Sequence, residues 1–137
     1  MHLDPLLWPK LHGASAHFPI ALTLVAAVCE GVALRLAEGP RREGLRATGF
    51  YCIVAAALGT VPAVLSGLVM THGETMGHDL LRWHHLFVWP SFALIVGLAV
   101  WRFKGETGER LYIAVLMAAA VLISLAGYWG GEMIVNG

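Results

Sequence analysis

Four long apolar blocks constrain this chain more than anything else in it: roughly Ser15 to Leu36, Ala47 to Met70, His84 to Phe103 and Leu111 to Ile134. At a rise of about 1.5 Å per residue, each is long enough for a helix to cross a hydrocarbon layer of about 30 Å. None shows the period-two alternation of a barrel strand. In lipid the backbone must satisfy its own hydrogen bonds, so a helix is the form left to such a run. A content of 58% hydrophobic and 13% charged residues is more apolar than a soluble domain requires and leaves no second, polar domain to account for. The sequence therefore predicts a single all-α domain over residues 1–137, a four-helix up-down-up-down membrane bundle.

The charges orient it. Seven of the nine Lys and Arg residues (Arg35, Arg41, Arg42, Arg46, Arg102, Lys104 and Arg110) fall in or beside the first and third connections, against Lys10 and Arg82 on the other side. By the positive-inside rule the Arg-rich connections are cytoplasmic. Both termini and the connection from Thr71 to Trp83 then face outward, into the periplasm if the membrane is a bacterial inner membrane. The formal net charge of zero carries no signal for nucleic acid, because the charges are divided between two compartments. No small-x-small cleavage site follows the first apolar run, so the first helix is expected to be retained.

Cys29 and Cys52 fall inside helices and read as small apolar residues, with no C-x-x-C or C-x-x-C-H around them. Ser15 is placed to cap the first helix ahead of Pro19, while Pro62 and Pro90 lie deeper, where kinks are expected. Small residues at Gly59 and Ala63, Ala93 and Gly97, and Gly127 and Gly131 have the spacing that lets membrane helices approach closely. Trp8, Trp83, Trp89 and Trp129 near the outer boundary and Trp101 near the inner one form the usual aromatic belts.

All seven histidines (His2, His12, His17, His72, His78, His84 and His85) lie toward the outer side. Imidazoles from two facing helices are a common way to hold haem b in a bundle. In an up-down-up-down arrangement the first and third helices are diagonal, and His17 then meets His84 or His85 at similar depth. Only one of those two adjacent residues can face the axis. A rival is a zinc or copper site adding Glu74, Asp79 or Glu132, although no H-x-x-x-H spacing supports a compact one. Glu30, the one carboxylate well inside a helix, reads either as a proton-relay or quinone-contacting group or as a side chain that snorkels to the inner interface or pairs with Arg46 or Arg102. At about 100° per residue it stands some 140° from His17 and does not share that residue's face.

The run Leu11-His12-Gly13-Ala14-Ser15-Ala16-His17-Phe18-Pro19-Ile20-Ala21-Leu22 resembles the H-P-x-x-x-H-F-P-I-A-L opening of the bacterial membrane proteins grouped as domain of unknown function 2231. Glu30, the small residues Gly59 and Gly67, Trp83-His84 and Gly130-Gly131 extend the resemblance over nearly the whole chain. Gly13 replaces the usual proline, and Tyr128 stands where some relatives carry histidine. Some relatives are joined to c-type cytochrome modules, so the resemblance implies a place in periplasm-facing electron transfer.

The expectation is then a haem b-binding subunit, with one haem or two, linking a periplasmic cytochrome or other redox subunit to quinone or to another membrane subunit. His17 and His84 are the expected axial ligands, with His85, His72 and His12 in reserve and Glu30 as the proton or quinone contact. No nucleophile, base and oxyanion constellation for an autonomous enzyme is visible. The alternatives are a cofactor-free assembly subunit and a periplasm-facing zinc or copper binder.

Overall fold

The computed structural model describes residues 6–105 and 108–136; His2 lies outside them. Among the described residues there are four helices, α1 (Leu7–Ala33), α2 (Pro40–Met70), α3 (Asp79–Lys104) and α4 (Glu109–Asn136), and no strand. Each is long and apolar enough to cross a membrane. All four start earlier than the apolar blocks suggest, because hydropathy marks only the stretch suited to hydrocarbon. A helix that already satisfies its own backbone has no reason to stop at that edge. Ser15 is accordingly inside α1, its hydroxyl donating to the His12 carbonyl at 3.2 Å rather than capping a first turn. The helices continue through Pro19, Pro62 and Pro90.

Neighbouring helices run in opposite directions. Early residues of α1 meet late residues of α2, with His12 against Gly67, and Glu30 near the end of α1 lies against Gly49 near the start of α2. The same holds for α3 and α4, where His84 meets Gly130 and Arg102 covers Tyr112. α1 packs on α2 and α4, and α3 packs on the same two helices, so α1 and α3 are diagonal. Contact is densest within the α1–α2 and α3–α4 hairpins and sparser between them.

The two hairpins are copies of one design. Thr23, Ala26 and Ala27 of α1 are buried in register with Ile95, Leu98 and Ala99 of α3. Ile53, Ala56, Thr60 and Ala63 of α2 match Leu116, Ala119, Ile123 and Ala126 of α4 in the same way. An approximate two-fold axis runs along the bundle between the hairpins.

The core is built largely of alanine with a few branched residues, Ile53, Ile95, Leu98 and Leu116 among the most deeply buried. Small side chains suit a membrane, where lipid tails solvate apolar groups as well as protein does and close packing must supply the attraction. Of the small pairs read from the sequence, Gly59 serves that purpose against Pro19 and Gly127 against Ile20. A Cβ at Gly97 or Gly131 has nothing within 4 Å, so those two glycines face open space rather than a neighbouring helix. Cys29 and Cys52 are half-buried free thiols.

Candidate functional site

Helical periodicity assigns the first histidines of α1 to different faces. Pro19, Thr23, Ala26 and Glu30 are buried, and His12 continues that stripe toward the start of the helix. His12 and Glu30 stand five turns apart on one line of α1, roughly 27 Å by helix rise. His17, five residues after His12, is turned about 140° away. Its ring is exposed, and its Nδ1 donates back to the Gly13 carbonyl of its own helix. The expected meeting of His17 with His84 is therefore replaced by a meeting of His12 with His84.

That pair lies on the approximate two-fold axis, with ring centroids 6.4 Å apart and planes at 78°. Each ring is held by the other helix of its own hairpin. His12 Nδ1 lies 2.9 Å from the Ala63 carbonyl and 3.2 Å from Ser66 Oγ. His84 Nδ1 lies 2.8 Å from the Ala126 carbonyl. A carbonyl oxygen only accepts, so in both rings Nδ1 carries the proton and Nε2 keeps its lone pair. This is the tautomer of a metal-ligating histidine, whose second nitrogen is ordinarily anchored by a backbone carbonyl or carboxylate.

Glycines make room for both rings. A Cβ at Gly67 would stand 3.1 Å from His12 Cε1, and one at Gly130 would stand 3.3 Å from His84 Cε1. The Ala63-x-x-x-Gly67 and Ala126-x-x-x-Gly130 runs thus each offer a carbonyl to bind Nδ1 and, one turn later, a bare backbone under the ring.

The other histidines surround this pair without joining it. His85 is buried, its ring 5.8 Å from His84 and 6.2 Å from Trp89, whose indole N–H donates to the Thr75 carbonyl of the α2–α3 connection. His78 precedes the first residue of α3 and is exposed. His72, exposed just past the end of α2, takes a left-handed backbone conformation at φ 53°. Trp83 and Trp129 stack at 5.7 Å beside His84 and Gly130. Among the described residues no group of three or more His, Cys, Asp and Glu side chains is placed to hold a metal ion, so Glu74, Asp79 and Glu132 do not complete a mixed site there.

Glu30 occupies the opposite end of the axis. It is 1% exposed, with Oε1 3.0 Å from Arg102 Nη2 and Oε2 4.0 Å from Arg46 Nε. Arg102 also donates to the Arg46 carbonyl at 3.1 Å. Glu109 at the start of α4 bonds Arg42 and Arg46, joining α2 to α4. Gly49 is required here, because a Cβ would stand 2.9 Å from Glu30 Cγ. Of the two readings of Glu30, the geometry supplies both arginine partners of the ion-pair one. Arg102 follows His84 by the same spacing that separates Glu30 from His12, so the repeat sets like residues together at one end of the axis and opposite charges at the other.

The sequence profile of the family described as "Predicted membrane protein (DUF2231)" matches residues 9–137, which include both members of the histidine pair and both members of the ion pair. The chain belongs to this family. Its description as a predicted membrane protein agrees with the four candidate spans of this DUF2231 chain. No curated protein and no solved structure matches it.

Proposed function

We propose that this DUF2231 protein is a haem b-binding subunit of an electron-transfer complex in a bacterial inner membrane, with His12 and His84 as the axial ligands. The observation that carries the reading is the imidazole pair itself: two rings from diagonal helices, each anchored through Nδ1 to a carbonyl, with no hydrogen-bond partner for either Nε2 among the described residues. Two acceptor nitrogens cannot hydrogen-bond each other, so what suits them is a shared electrophile. A structural or catalytic zinc ion takes three or four protein ligands, and this donor set is short of that. For haem iron two imidazoles are the complete protein contribution, the porphyrin supplying the rest.

If bound, haem would be held by His12 and His84 between the two hairpins, where contact is sparser than within them. It would supply a one-electron couple, suited to electron transfer rather than oxygen chemistry if both imidazoles ligate it. The chain's own part is to ligate, orient and bury. His17, His72 and His85 remain available to a second haem or to a partner subunit. A periplasmic cytochrome on one side, and quinone or another membrane subunit on the other, are the proposed partners. Roughly 27 Å of helix between His12 and Glu30 is too long for one electron step, so the acceptor belongs beside the histidine half.

Purified from its native membrane, the protein is expected to show a Soret band and sharp low-spin α and β bands on reduction, with haem in stoichiometric amount. Stoichiometric zinc or copper without a Soret band would transfer the site to a bare metal. Neither would leave an assembly subunit.

The periplasmic placement of the histidine pair rests on the charge bias. Reporter fusions at Gly39 and Gly105 are expected to read cytoplasmic and a fusion after Asn136 periplasmic. A cytoplasmic signal after Asn136 would invert the protein and remove the periplasmic donor from the reading.

A further inference from the structure

At the Arg-rich end of the bundle, away from the histidines, a cavity of about 350 Å³ is walled by Arg46, Trp101, Arg102, Glu109 and Tyr112. Gly105 and Gly108 complete its rim, Gly105 in the left-handed conformation at φ 64° that ends α3 without a side chain. Tyr112 is 4% exposed, and its buried hydroxyl has no hydrogen-bond partner among the described residues. A buried phenol left unmatched is costly, and native structures ordinarily satisfy such groups. The Arg102 guanidinium sits over the same ring, 5.2 Å from its centroid.

Both arginines on the wall have donors to spare. Arg102 meets Glu30 and the Arg46 carbonyl through Nη2 alone, which leaves the hydrogens on Nη1 and Nε. Arg46 directs Nη1 to Glu109 and Nε toward Glu30, leaving Nη2. Arg42 is taken up by Glu38 at 2.9 Å and by Glu109, so arginines and acids of the cluster are equal in number, and what the cavity offers an anion is the unused N–H groups of Arg46 and Arg102. Paired guanidinium donors suit the oxygens of a phosphodiester.

We infer that this cavity binds a phosphate monoanion, with Arg46, Arg102 and the Tyr112 hydroxyl as donors. The phosphate belongs either to an anionic lipid head group or to a soluble phosphate ester. The lipid source fits the cavity's position at the arginine belt, where basic pockets between membrane helices receive head groups. The inference is independent of the haem reading, because no residue of the histidine pair takes part.

The test uses the full-length protein, with its absorption spectrum recorded alongside, in nanodiscs of phosphatidylethanolamine carrying a small fraction of phosphatidylglycerol. Lipid retained by the protein is read by native mass spectrometry. Wild type is expected to retain one phosphatidylglycerol selectively. Tyr112→Phe, which deletes a single oxygen and leaves the ring under Arg102, is expected to weaken retention about tenfold, the worth of one hydrogen bond to a charged group. Arg46→Gln is expected to abolish it. Displacement by millimolar inorganic phosphate would assign the site to a soluble ester, and its failure would assign it to the lipid. The inference is overturned if wild type shows no preference for phosphatidylglycerol and no binding of inorganic phosphate. It is equally overturned if folded Tyr112→Phe and Arg46→Gln proteins bind as wild type does.

Discussion

Replacing either His12 or His84 by alanine is expected to abolish the low-spin haem spectrum, whereas His17→Ala and His78→Ala leave it intact. In the proposed assignment each of the two effective substitutions removes one of only two iron ligands. The two silent ones act on an imidazole turned away from the bundle and on one in the α2–α3 connection. His85→Ala serves as a sharper control. It lies against His84, so it should shift band positions while preserving six-coordination. Reduced-minus-oxidised spectra of the purified variants, at matched protein concentration, read all five. Loss of the spectrum on His17→Ala with retention on His12→Ala would return the ligand role to the hallmark His17 and refute the inward pair. Unchanged spectra in both His12→Ala and His84→Ala would remove the axial assignment altogether.

Arg102→Met is expected to destabilise the protein by about 3 to 5 kcal/mol, the usual cost of stripping one partner from a buried ion pair. Glu30 is then left almost fully buried with only Arg46, at 4.0 Å, for compensation. Glu30→Leu combined with Arg102→Met is expected to recover most of that loss, since a matched apolar pair carries no uncompensated charge. Denaturant unfolding of the solubilised protein, run as a double-mutant cycle, measures the coupling. Additive effects of the two substitutions would mean that the pair contributes nothing as a pair. A Glu30→Gln protein of unchanged stability, in a parent complex that turns over more slowly, would instead restore the proton-relay reading of this residue.

The helical architecture is legible in the sequence because hydrocarbon imposes one requirement on all four blocks, and apolar length reports it directly. Helix ends are less legible. Pro40 to Arg46 is helical although strongly charged, since the forces that fix the interior of α2 do not act on its exposed first turns. The end of the bundle holding the site is visible from the distribution of histidines, but its inward member is not. Attention to the His17-Phe18-Pro19 run leads to the outward face of α1, where both His17 and Phe18 are exposed. Counting turns from His12 rather than from His17 places Pro19, Thr23, Ala26 and Glu30 on one stripe, and the packing confirms that stripe as the buried one.

A second signal was present and weak. Lys10-Leu11-His12 parallels Arg82-Trp83-His84, and Ala63 with Gly67 parallels Ala126 with Gly130. So few identities are hard to see in a chain rich in alanine and glycine, where chance matches abound. Only the shared burial pattern makes the repeat plain. The cavity beside Tyr112 left no comparable trace, because it depends on where side chains from α2, α3 and α4 converge.

The duplicated hairpin has a consequence for how such a protein arises and inserts. A unit that crosses the bilayer twice returns to the side it started from, so a tandem copy enters with the same orientation and needs no inverted partner. One arginine-rich turn in the ancestral unit would have sufficed to steer both halves. A homodimer of that unit would already have placed two equivalent imidazoles on its symmetry axis, each anchored by its own second helix. Fusion of two such units would then free the halves to diverge. An acid and a base now face one another at Glu30 and Arg102, where a symmetric pair would have set like against like. Ser66, within 3.2 Å of His12 Nδ1, has its counterpart at Trp129, which stacks on Trp83 instead. The two imidazoles are consequently equivalent in position and inequivalent in polarity, one with a hydroxyl beside it and the other with a pair of stacked indoles.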